Sequence, residues 1–154
     1  MKFAEFHTGQ QLTAGPHVVT EAEIVGFASQ WDPQWFHADA AAANASHWGG
    51  VIASGWHTGS IAMRLVATHF LAGSESFASP GLEYVKWPAP VKVGDALTLH
   101  IDVLDARLSQ SKPHLGLVHW RWRLVNQRGQ DVFETAATSL FKLASTTQAD
   151  ATAA

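Results

Sequence analysis

The sequence predicts an α+β domain in which an antiparallel sheet covers one long helix. Two observations carry that prediction. From Gly55 to Ala72 the chain is apolar or small, with Arg64 the one charged residue among eighteen. After it come four strand-like segments in which apolar and polar residues alternate with period two. Nothing along the chain repeats, and 154 residues fit a single domain with room for a real core.

Taken in order, Thr20-Glu21-Ala22-Glu23 is a capping box, with Val19 and Ile24 placed as a hydrophobic staple. Ile24, Phe27 and Ala28 share one face, so a short helix is expected from about Glu21 to Gln30. Pro33 biases Asp32 towards extended backbone, which makes Asp32–His37 a loop or tight turn. Asp39 is placed to N-cap a second short helix through the alanines to about Ala45, and Gly49-Gly50 breaks the chain again. The long helix then runs from Gly55 to Ala72. With so few charges it is expected to be buried on most sides. Gly73 and Pro80 bracket a loop. The strands follow at Leu82–Ala89, Ala96–Leu104, Leu115–Val125 and Val132–Leu143. In the third, Val118, Trp120, Trp122 and Leu124 share a face; in the fourth, Phe133, Ala137, Phe141 and Leu143 do. Gly94-Asp95 and Asn126-Gln127-Arg128-Gly129 read as turns. The tail from Ala144 has no aromatic or large aliphatic residue, and disorder is expected there.

Composition removes several functional classes. A net charge of −3 argues against a nucleic-acid binder. The absence of cysteine excludes disulfides, thiolate catalysis and Cys-ligated zinc. MKFAEFHTGQ has no apolar signal core, and no apolar run reaches membrane-spanning length, so a soluble cytoplasmic protein is expected. Charged residues make up only 15%, against seven Trp and eight Phe, which leaves apolar surface for an oligomer to cover.

Chemistry concentrates between Trp31 and His69. Asp32 and His37 place a carboxylate and an imidazole five residues apart, able to share a water. Spacing alone also allows a turn-capping Asp beside a satisfied His. Ser54-Gly55 opens the long helix. Ser54 suits an N-cap, while Gly55 exposes a free N–H with no side chain in the way, as an oxyanion site requires. Among Trp31, Trp35, Phe36, Trp48 and Trp56, one or two are expected to line a pocket, with Trp56 nearest the helix start. His37, His47 and His57 lack any helical or strand ligand spacing, so no metal is expected. Arg107, Lys112, Arg121, Arg123 and Arg128 fall in a stretch without acidic residues; singly they suit a solvated face, together they could attract phosphates.

The motifs Asp32-Pro33-Gln34-x-Phe36-His37-x-Asp39, Gly49-Gly50-x-Ile52-Ala53-Ser54-Gly55 and Trp87-x-x-Pro90-x-x-x-Gly94-Asp95, in that order, resemble the MaoC-like dehydratases, which include R-specific enoyl-CoA hydratases. The resemblance covers roughly Phe3 to Leu143. It implies one hotdog domain over residues 1–143, with the sheet wrapped around the long helix. Asp32 and His37 fall on the family's catalytic positions. The Gly55 N–H falls on its thioester-carbonyl site, with Ser54 and Trp56 beside it, and Arg107 and Lys112 become candidates for coenzyme A phosphates. The implied reaction adds water to a trans-2-enoyl thioester to give an (R)-3-hydroxyacyl thioester. The carrier is coenzyme A or acyl carrier protein, and no separate cofactor is needed. A hotdog thioester hydrolase and a non-catalytic acyl-CoA-binding subunit are the alternatives. A homodimer, or a larger assembly of dimers, is implied as well.

Overall fold

The structure, a computed structural model, describes residues 1–144; all of the tail but its first residue lies outside them. Six strands form one antiparallel sheet: β1 (Gln11–Val18), β2 (Ser76–Ala78), β3 (Leu82–Lys86), β4 (Ala96–Leu108), β5 (Leu115–Val125) and β6 (Asp131–Lys142). Their order is β1-β4-β5-β6-β2, with β3 also paired to β6. The helices are α1 (Glu21–Trp31), α2 (Trp35–Ala38), α3 (Ala40–Asn44) and α4 (Gly55–Val66), the last continued by a π-helical turn at Ala67–Leu71. The long helix lies against the sheet, so the expected hotdog architecture holds. Alternation places Val118, Trp120, Trp122 and Leu124 of β5 on the buried face, opposite Leu97, Leu99, Ile101 and Val103 of β4. Trp120 is fully buried and donates its indole N–H to Ser139 Oγ at 3.2 Å, so even this large core residue leaves no polar atom unpaired. Truncating such a residue to alanine costs roughly 3–5 kcal/mol.

Three expectations need correction. Two strands, β1 and β2, were not foreseen. In β1 the pairing register with β4 jumps between Ala14 and His17, around Gly15-Pro16. Gly15 has φ +109 there, and a Cβ on it would stand 2.9 Å from the Leu97 carbonyl oxygen. The long helix, secondly, is not buried on most sides in this chain. His57, Thr58, Ile61, Ala62, Leu65 and Val66 face the core, whereas Trp56 and Met63 are 62% and 42% exposed. Thirdly, only half of the capping box forms. Thr20 Oγ1 accepts from the Glu23 N–H, but the Glu23 carboxylate turns to the Thr20 hydroxyl and to His17 instead of the Thr20 N–H.

Candidate active site

The segment between α1 and α4 brings the sequence-selected pair together. Asp32 ends α1 in non-helical backbone, as the following proline favours. The rest of the expected loop is not irregular: Gln34 stands at the N-cap position of the single helical turn α2, without a side-chain cap, and that turn points His37 back towards Asp32. Asp39 then N-caps α3 by accepting the Ala42 N–H at 3.0 Å, so it is structural. Asp32 Oδ2 and His37 Nε2 stand 3.5 Å apart, with side chains 19% and 8% exposed.

Hydrogen bonding orients each partner. His37 Nδ1 lies 2.6 Å from the Ile52 carbonyl oxygen. A carbonyl only accepts, so Nδ1 carries a proton, and in the neutral ring the lone pair is on Nε2. Asp32 accepts from the Ser54 hydroxyl at 2.6 Å and from the Gln34 amide at 2.8 Å. Those two donors, Ser54 foremost, hold its carboxyl below the usual carboxylate range. With the ring neutral, the site presents two acceptors facing each other. A water beside them can donate one hydrogen to each.

Ser54 links this pair to α4. Its oxygen accepts from the Trp56 N–H at 3.3 Å while its hydroxyl donates to Asp32. Gly55, the first residue of α4, has no acceptor for its N–H within the helix, and it lines the same cleft as Asp32 and His37. That cleft has a volume of about 410 Å³, and its lining also includes Trp48, Trp56, Thr58 and the run from Trp87 to Val91. Trp48 and Trp56 are thus the two members of the aromatic cluster that reach it, whereas Trp31 and Trp35 point to solvent. Sequence reasoning missed Gln34, Thr58 and Trp87 as site residues. Gln34 and Trp87 stood within the quoted motifs, but nothing in the spacing showed what they would touch.

Arg107 and Lys112 are not brought to this cleft. Arg107 pairs with Asp105 at 3.1 Å near the end of β4, the full length of that strand from the cleft wall at Val91. Arg121, Arg123 and Arg128 are likewise paired, with Asp102, Asp131 and Asp95. Lys112 makes no ion pair among the described residues, where no group of three or more His, Asp or Glu is arranged to hold a metal. No helix among them is long and apolar enough to cross a membrane.

The sequence profile of the MaoC like domain matches residues 3–118, a span that includes every member of this site. The chain belongs to the MaoC-like family. An uncharacterized protein of Bacillus subtilis (strain 168), YdeM, is 30% identical over 92% of this chain and 99% of its own. Among solved structures, a MaoC-like dehydratase from Rhodospirillum rubrum superposes with a TM-score of 0.80 at 36% identity, covering 92% of this chain and 96% of that one. The fold also matches the R-hydratase PhaJ1 from Pseudomonas aeruginosa, with a TM-score of 0.74 at 24% identity over 92% and 86% of the two chains. This chain is therefore a MaoC-like dehydratase-family member with the hotdog fold.

Proposed function

We propose that this MaoC-like protein adds water to a trans-2-enoyl thioester, giving the (R)-3-hydroxyacyl thioester, with coenzyme A as the carrier. The observation that carries the proposal is the Asp32 Oδ2–His37 Nε2 pair, two acceptors 3.5 Å apart on the cleft that Gly55 also lines. Water held beside them loses a proton to His37 Nε2 as its oxygen bonds to C3. Asp32, kept ionised by Ser54 and Gln34, orients that water and offsets the imidazolium charge. The C2–C3 π pair moves towards the thioester, and the Gly55 N–H stabilises the enolate-like oxygen. The proton then passes from His37 to C2. The thioester itself acidifies C2, so this route calls on no other cofactor. Coenzyme A, or acyl carrier protein, enters as part of the substrate. The reverse reaction is dehydration of the 3-hydroxyacyl thioester.

A panel of enoyl-CoAs tests this directly. Loss of the conjugated double bond with no free thiol supports hydration. Release of thiol would identify a thioester hydrolase, and binding without turnover would identify a non-catalytic acyl-CoA-binding subunit.

We also propose a homodimer formed along the β3–β2 edge. Leu82 and Phe77 are exposed on that edge, and Trp56 and Trp87 meet edge to face beside it, with centroids 5.5 Å apart. The same reading gives Arg107 and Lys112 to the coenzyme A phosphates. Their distance from the cleft of their own chain means that they would serve the cleft of a second copy.

A further inference from the structure

Trp87 is more than a wall of the cleft. Its Nε1–H donates to the Gly55 carbonyl oxygen at 2.8 Å, across 32 residues of sequence. That carbonyl belongs to the same peptide group as the Trp56 N–H, which donates to Ser54 Oγ at 3.3 Å. The Ser54 hydroxyl in turn donates to Asp32 Oδ2 at 2.6 Å. Three hydrogen bonds, linked through one peptide group and one hydroxyl, thus run in one direction from the Trp87 indole to the carboxylate. Each bond in such a chain polarises the next, by about 10–30%. The indole is also seated closely: a Cβ on Gly55 would stand 2.6 Å from Trp87 Cε2. Glycine at position 55 is therefore what lets the ring reach the carbonyl.

We propose that Trp87 is a positioning residue for Asp32, acting through the Gly55–Trp56 peptide and the Ser54 hydroxyl. Its indole N–H donates to the Gly55 carbonyl and not to Asp32. Instead it ties the segment after β3 to the first turn of α4, and strengthens the hydroxyl donor that orients Oδ2. The inference rests on the reading of Asp32 as the carboxylate that holds the reacting water.

The test removes the indole N–H while keeping an aromatic ring. Trp87→Phe is compared with wild type, Ser54→Ala and Trp87→Phe/Ser54→Ala, with Asp32→Asn used to assign the Asp32 carboxyl 13C resonance. At neutral pH, Trp87→Phe is expected to move that resonance in the direction of the Ser54→Ala shift, and by less. The double variant is expected to match Ser54→Ala alone. An unmoved resonance in Trp87→Phe, or an equal shift with Ser54 present and absent, overturns the proposal whether or not the protein hydrates enoyl thioesters. In the hydration assay, Trp87→Phe should lower kcat about two- to tenfold, the scale of one neutral hydrogen bond, with KM within about twofold. That drop should vanish in the Ser54→Ala background. A drop of the same size in both backgrounds would make Trp87 a packing residue only.

Discussion

At the scale of single residues, the site is a set of short contacts between positions far apart in sequence. Gly55 shows how tightly they constrain one another. Its Cα lies beneath the Trp87 indole, so Gly55→Ala forces the ring off the helix start. It also changes the surroundings of the N–H proposed to receive the oxyanion. Losing one oxyanion donor outright typically costs about 10²–10³ in kcat, and Gly55→Ala, which obstructs the N–H without removing it, should lower kcat by up to that range. Thermal melting of the variant should change far less, because Gly55 is only partly buried and Trp87 is exposed. Alanine keeps the N–H, so full turnover in Gly55→Ala would contradict only the need for an unobstructed approach to it. The sequence pointed to Asp32, His37 and the helix start through residue type, motif order and resemblance. It could not show that Ser54, 22 residues away, donates to Asp32, because hydrogen bonds across that separation are set by how α1 and α4 pack.

At the scale of elements, the joint between α1 and α4 carries a titrating group outside the site. His57 of α4 stacks on Phe27 of α1, with centroids 5.0 Å apart. Its Nε2 is 3.7 Å from Glu23 Oε1, which lies 2.6 Å from His17 Nε2 of β1, and its Nδ1 has no hydrogen-bond partner. Burial, above all, lowers its pKa from 6.5, although Glu23 pulls the other way. Between the unfolded and folded values the unfolded chain binds the extra proton. Stability is therefore complete above pH 6.5 and falls as the pH drops below it. His57→Gln, which does not titrate, should lose less melting temperature than wild type between pH 7.5 and pH 5.5. Parallel losses in the two proteins would assign the pH dependence to other groups. Legibility in sequence also divides by element. β5 was readable to its ends because bulky apolar residues alternate without interruption; β1 was not, because Gly15-Pro16 breaks its pattern, and β2 has only three residues. On α4 the small residues concealed which face turns inwards. His57 and Thr58 are buried while Trp56 and Met63 are exposed, the reverse of what polarity alone suggests.

At the scale of the whole molecule, the exposed aromatic residues and the free strand edge bear on assembly. Light scattering at micromolar protein should return at least twice the chain mass of 16.6 kDa; a stable 16.6 kDa species would contradict the dimer. If Arg107 and Lys112 hold phosphates across that dimer, reversing both to Glu should raise KM for an enoyl-CoA more than it lowers kcat, with a salt-dependent KM in wild type. An unchanged KM would leave them as surface charges. The central claim is that Asp32 and His37 act as one unit on one water, and the direct measurement is hydration of a short trans-2-enoyl-CoA by wild type, Asp32→Asn, His37→Ala and the double variant, each shown to be folded by thermal melting. Asp32→Asn keeps the shape of the side chain but loses the carboxylate charge. Each single substitution should cost at least about 10²–10⁴-fold in kcat, and the double variant should be little worse than either. Near-wild-type turnover in folded Asp32→Asn, or losses that simply multiply in the double variant, would contradict it.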